Sequence, residues 1–288
     1  MNRKLILALL VSVPALLVGT EACSGSKTSQ IVTNDSVTMY VNPLLDRGPD
    51  PWAILHDGQY YYTHTMQDSI VLWTTKDITD LRHAKKKTVW IPVDESNKHD
   101  LWAPEIHHID GKWYIYYAAD DGNTDNHQLY VLENPSKDPF EGKFEMKGHI
   151  STDKDNNWAI DGSLFEDDGK LYMVWSGWQT RRVDTETQCI YIAEMKNPWT
   201  LGSERVLISK PELEWERHYK NESGWNPPYT IFVNEGPQPL KSPDGKLVHI
   251  AYSASGVWTP YYALGLLTAK AGGNLLDPKS WSKSPNPV

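Results

Sequence analysis

The stretch "APEIHHIDGKWYIYY", residues 103–117, runs one alternating segment into another through Asp110-Gly111. Asp-Gly between two period-2 segments marks a tight β-hairpin, because both turn residues take positive φ and these two types tolerate it. The same arrangement occurs three more times: "DPWAILHDGQYYYTH" from Asp50, "DGSLFEDDGKLYMVW" from Asp161, and "EGPQPLKSPDGKLVHIAYSA" from Glu235. In the first three copies the leading residue stands seven positions before the Asp of the turn. In the fourth, Lys241-Ser242-Pro243 lengthens the turn and the offset is nine. No long apolar stripe of helical period interrupts the pattern, so the chain reads as all-β.

Head-to-head steps of 53, 58 and 74 residues match four-stranded blades with loop insertions, and a repeat of this period predicts a β-propeller. The leading segment of each copy becomes the innermost strand, and chain direction places every leading residue at one end of the central channel. Those residues are Asp50, Ala103, Asp161 and Glu235, three of them acids. Gathering carboxylates around one axis costs stability through mutual repulsion, which points to a use for them. Asp50, Asp161 and Glu235 are therefore expected to converge despite their separation along the chain.

Composition narrows the chemistry. The net charge of −9 is spread without a basic run, which argues against a nucleic-acid partner. Thirteen Trp and fifteen Tyr against four Phe favour rings with a polar handle, as a sugar-binding cleft uses. Spacings around His64, His107, His108 and His249 match no zinc signature, and "DKDNN" at 153–157 lacks the Gly and terminal Glu of an EF-hand loop. No metal is assigned to the site and no cofactor is required, although a structural calcium in the central channel is compatible with the ring of acids.

The start of the chain has two cations and an apolar run over residues 5–18, the pattern of a signal peptide over 1–22. Cys23 follows Thr20-Glu21-Ala22 and is a candidate for lipid attachment to a membrane, giving a periplasmic, outer-membrane-anchored or extracellular protein. Residues 23–38 are polar and aperiodic, a flexible tether, and the propeller domain is expected over 39–288. Cys189 in "TQCIYIAEM" reads as a buried strand residue.

The segments "RGPDPWAI", "LWAPEIHHIDGKWYIYY", "AIDGSLFEDDGKLYMVWSG" and "NEGPQPLKS" resemble glycoside hydrolase family 43, in that family's order. The resemblance implies a five-bladed propeller and inverting hydrolysis of arabinose- or xylose-containing polysaccharides. It implies Asp50 as general base, Asp161 as the residue that tunes and orients the acid, and Glu235 as general acid, with base and acid roughly 6.5–9.5 Å apart. Trp102 matches the family's sugar-stacking tryptophan, and Trp178 and Gln238 are further candidates for sugar contact. "NEGPQ" leans towards an α-L-arabinofuranosidase; a β-xylosidase and a non-catalytic sugar-binding propeller are the alternatives. Four copies use the chain up to "KSWSKSPNPV", and no Gly-Pro-Gly-His-like motif follows. The expectation is four blades, the fifth missing at the C-terminus and a gap between blades four and one, unless residues 33–45 fill that place.

Overall fold

A computed structural model describes residues 42–180 and 186–288. The expected signal peptide, tether and lipid-attachment Cys23 lie outside the described residues. Within them, four antiparallel meanders follow one another along the chain. The first is β1 (Trp52–His56), β2 (Gln59–Thr63), β3 (Ile70–Thr75) and β4 (Lys85–Trp90), paired in that order. The second is β5 (His99–Ile109), β6 (Lys112–Asp120), β7 (Gln128–Asn134) and β8 (Glu145–Ile150). The third is β9 (Ala159–Asp167), β10 (Lys170–Trp178) and β11 (Glu186–Asn197), against which β12 (Thr200–Leu201) and β13 (Val206–Ser209) pair. The fourth is β14 (Ile231–Lys241), β15 (Leu247–Ala254), β16 (Ala263–Lys270) and β17 (Ser282–Lys283). A short parallel pairing of Glu186–Gln188 with Ile231–Val233 joins the third sheet to the fourth.

The Asp-Gly turns form as the sequence predicts. Asp57-Gly58, Asp110-Gly111 and Asp168-Gly169 all have positive φ, between 47° and 77°, the pair of angles a type I′ turn requires. In the Asp244-Gly245 turn of the fourth copy only Gly245 takes positive φ, within a longer loop closed by Ser242 N–H donating to Leu247 O at 3.0 Å.

Apolar layers between consecutive sheets hold the meanders face to face. Ile70, Leu72, Ile106, Trp113, Ile115 and Leu132 fill the space between the first and second sheets. Tyr116, Leu129, Ile160, Leu164, Met173 and Trp175 fill that between the second and third. Val174, Ile192, Val248, Ile250, Tyr252 and Leu267 fill that between the third and fourth. Strand β6 is buried along both faces from Trp113 onward, as a strand in the middle of such a stack must be. Strand β15 instead alternates strictly, and the outward face of its sheet is exposed at Leu240 and Leu264. Cys189 is buried in β11 as a free thiol.

One buried ionic cluster fastens the inner strand of the fourth sheet. The Glu216 carboxylate, fully buried, accepts from the Glu212 and Leu213 backbone N–H groups, from Tyr252 Oη and Lys283 Nζ at 2.8 Å each, and from Asn234 Nδ2 at 3.1 Å. Burial pushes this carboxyl up, but Lys283 and the other donors outweigh it and hold it below the usual range. The stability that Glu216 contributes is therefore present above the ordinary glutamate range and is lost as pH falls through the lowered value. Glu216→Ala leaves Lys283 buried without its partner. In urea titrations at pH 7 it should cost about 3–5 kcal/mol, with the difference from wild type shrinking as the pH is lowered.

Candidate active site

Each inner strand carries the same backbone irregularity at its entry. The residues that lead the first three copies, Asp50, Ala103 and Asp161, have φ of 52°, 42° and 57°. The ladder register shifts between Trp102 and Glu105 in β5, between Ile160 and Ser163 in β9, and between Glu235 and Gln238 in β14, marking β-bulges. In the fourth copy the left-handed residue is Gly236, at φ 58°, and not Glu235. The sequence register for that copy is corrected by one position: Gly236 is the equivalent of Asp50, Ala103 and Asp161. Glu235 is the equivalent of Pro49, Trp102 and Ile160. The lengthened turn hid the shift, because counting back from Asp244 leaves the place of the bulge undetermined.

The bulge explains how one cavity collects so many side chains. Both positions of all four copies, Pro49/Asp50, Trp102/Ala103, Ile160/Asp161 and Glu235/Gly236, line a cavity of about 770 Å³. An extra residue in one strand turns two successive residues towards the same side, which regular alternation forbids. Asp tolerates the left-handed region because its short polar side chain bonds locally, and Gly does so for want of a Cβ. Glu has neither property, and accordingly it stands beside the bulge.

The three acids meet at this cavity as expected, and each has a defined partner. Thr65 Oγ1 donates to Asp50 Oδ2 at 2.6 Å and itself accepts the Ala103 backbone N–H at 2.7 Å. Asp161 Oδ2 accepts the Gly236 N–H at 2.9 Å. Tyr262 Oη donates to Glu235 Oε1 at 2.9 Å. The Glu235 carboxyl is pushed up to about 7, first by burial and then by the negative charge of Asp50, while the Tyr262 hydrogen bond pulls the other way. Burial, followed by the charge of Glu235, also raises Asp161 well above the carboxylate range. Near neutral pH the Asp161–Glu235 pair cannot readily carry two negative charges, so a proton is held where it can be delivered into the cavity.

Of the residues expected to touch sugar, Trp102 and Gln238 line the cavity. The Trp102 ring stacks on His127 with centroids 3.9 Å apart, and its Nε1 donates to Gln67 Oε1 at 3.2 Å. Trp178 does not belong to the site. It is 4% exposed in the core between the second and third sheets, stacked on Trp158 at 4.9 Å, and its carbonyl accepts from Arg205. Its place at the end of β10 leaves it in the layer between sheets, against Trp158 and off the cavity wall. A fourth acid escaped the sequence reading: Glu105 lines the cavity, accepts from Gln238 Nε2 and lies 3.0 Å from His107 Nε2. Glu105 and Gln238 stand at the same place, two residues beyond the left-handed residue of their copies, but the one-residue misalignment of the fourth copy set Gln238 three beyond its apparent head. Thr65 and Tyr262 come from outside the repeat heads and had none. Among the described residues no group of three or more His, Cys, Asp or Glu is arranged to hold a metal ion.

Tyr262→Phe removes the one hydrogen bond that favours ionised Glu235. The Glu235 carboxyl, followed by carbon-detected NMR titration, should then titrate above its wild-type value of about 7, by a fraction of a unit to about one unit. An unchanged or lower value would contradict the electrostatics described above.

Comparison with known proteins agrees with this geometry. The chain is 38% identical over 256 residues to an extracellular exo-α-(1→5)-L-arabinofuranosidase of Streptomyces chartreusis, covering 86% of this chain and 72% of that protein. It is 35% identical to α-L-arabinofuranosidase 43 of Humicola insolens, covering 94% of this chain but 54% of that one. The chain thus spans only about half the length of some relatives. The crystal structure of an α-L-arabinofuranosidase from Lactobacillus brevis superposes with a TM-score of 0.76 at 36% identity, covering 86% of this chain and 75% of that one. The sequence pattern of glycosyl hydrolases family 43 matches residues 40–288, a span that takes in every described strand and all four copies, and the chain belongs to that family.

Proposed function

We propose that the protein is an exported, exo-acting α-L-arabinofuranosidase that works with inversion. The observation that carries this reading is the meeting of Asp50, Asp161 and Glu235 in one cavity, with Glu235 titrating near neutrality. Relatives at 35–38% identity named as arabinofuranosidases support the choice of sugar, and the word extracellular in the name of one of them supports export.

Glycoside hydrolysis needs one carboxylic acid to protonate the departing oxygen and one carboxylate to take a proton from water. Glu235 is suited to the first task, because a group that titrates near pH 7 is substantially protonated there and still a competent donor. Burial and the charge of Asp50 keep it so, and Asp161, through the Gly236 N–H, fixes the residue next to the acid. Asp50 is the base, held by Thr65 through one carboxylate oxygen. Trp102 offers a ring face to the sugar, and Gln238, held by Glu105, offers amide hydrogen bonds. Lipid attachment at Cys23 would keep the exported enzyme on a membrane.

The test is hydrolysis of aryl α-L-arabinofuranoside against aryl β-D-xyloside, with the anomer first released followed by NMR. Arabinofuranoside cleavage with inversion is expected; preference for the xyloside would transfer the enzyme to the other sugar, and no cleavage of either would leave a sugar-binding propeller. Asp50→Ala and Glu235→Ala should each lower kcat by roughly 10²–10⁴-fold, and azide should restore turnover with an inverted product in the Asp50 variant.

Thr65→Val keeps the shape of the side chain and removes the donor to Asp50. Without that hydrogen bond the base is less well positioned, so kcat should fall about tenfold or more with KM little changed, and Thr65→Ser should restore most of it. An unchanged kcat in Thr65→Val, or failure of Thr65→Ser to restore it, would mean that Thr65 only packs.

A further inference from the structure

The aromatic surplus of the sequence is almost wholly indoors, with one exception. Among the described residues the exposed aromatic side chains are Trp225, Tyr229, Tyr261 and Tyr262, at 65%, 36%, 53% and 39% exposure. All four lie on two loops, residues 210–230 between β13 and β14 and residues 255–262 between β15 and β16. Both loops stand at the end of the fourth sheet where Glu235 enters β14.

The two loops are tied to each other. Asn221 Nδ2 donates to Trp258 O at 2.6 Å, Trp258 Nε1 to Tyr219 O at 2.7 Å, and the Gly256 N–H to His218 O at 2.8 Å. The Tyr261 ring is backed by His218, stacked with centroids 4.2 Å apart, and Trp225 meets Trp258 edge to face at 5.5 Å. Each ring is thus supported on one side and open to solvent elsewhere. Val257 and Tyr262, from the same loop, line the cavity that holds the three acids. The shelf therefore continues the wall of the site outward.

We infer that this shelf is an accessory binding surface for further sugar units of the polysaccharide whose terminal residue enters the cavity. The inference rests on the arabinofuranosidase reading for the kind of chain, a neutral arabinan. The chemistry of the surface fits such a ligand. Flat rings with polar edges suit the apolar faces and hydroxyl rims of sugars, and the rings are pre-positioned, so little side-chain freedom is lost on binding. Lys220 and Glu222, the charged side chains flanking Asn221, are of opposite sign and give no preference for an ionic partner.

The decisive measurement is affinity electrophoresis of the full chain carrying Glu235→Gln, in gels containing soluble linear α-1,5-arabinan, xylan or no polymer. Retardation in arabinan is expected, and adding Trp225→Ala with Tyr261→Ala should weaken the affinity by about tenfold or more. Trp225→Phe, which keeps a ring, should retain most of it. With Glu235 intact, the double variant should lose kcat/KM on a long arabino-oligosaccharide about tenfold relative to its value on the aryl arabinofuranoside. Equal retardation with and without the rings, equal losses on both substrates, or retention by xylan alone would overturn the inference. Because the gel assay needs no turnover, ring-dependent retardation in arabinan supports the shelf even if no arabinofuranoside is cleaved, in which case only the activity reading fails.

Discussion

A left-handed residue at the entry of each inner strand, with a bulge beside it in β5, β9 and β14, is the constraint on which the site depends. A regular strand sends alternate residues to opposite faces, so each inner strand would offer the cavity one side chain at that level. The bulge offers two, at a backbone cost of about 1–2 kcal/mol wherever a residue with a Cβ takes it without a local hydrogen bond. Gly at 236 escapes that cost, and Asp, at 50 and 161, is among the side chains that enter this region most readily. Ala103 has neither advantage, and its strained geometry aims its N–H at Thr65, which holds Asp50. Backbone form in one sheet thus positions a carboxylate of the sheet before it. Gly236 does the same for Asp161 without an intermediary.

Concentrating acids in a partly enclosed space would normally weaken a fold. Here the repulsion is absorbed by protonation: burial raises both Asp161 and Glu235, helped by the charge of Glu235 on the first and of Asp50 on the second, until the pair carries less than two charges near neutrality. Glu105 is handled differently, between the Gln238 amide and His107. Beneath Glu235, the Glu216 cluster grips the neighbouring Asn234, so the residue most exposed to electrostatic stress sits on one of the best-anchored segments of the chain.

Much of this was legible in the sequence because the repeat repeats its chemistry. Asp-Gly turns, period-2 strands and an acid before three of the four hairpins predicted the sheets and the meeting of Asp50, Asp161 and Glu235. What could not be read was tied to the third dimension in finer ways. The place of a bulge depends on ladder register, so Glu235 was aligned one residue off. Trp178 looked like a cleft residue by type, and only the packing of one sheet on the next puts it in the core. Thr65 and Tyr262 reach the acids from the segments just beyond β2 and just before β16, and nothing in their local sequence marks them. Glu105 went unseen for the same reason, since the misaligned fourth copy set it against Pro237 instead of Gln238.

The equivalence of the four left-handed strand entries has an evolutionary consequence. Eight inward-facing places are built by backbone alone, and acids fill only three of them. Pro49, Ala103 and Ile160 occupy places whose geometry is already that of a catalytic position. A single codon change at one of them introduces a new functional group at the cavity wall without asking the scaffold to refold. A fold organised in this way can drift between sugars by sampling side chains at prepared sockets, keeping its hydrolytic machinery while the shape of the pocket is renegotiated.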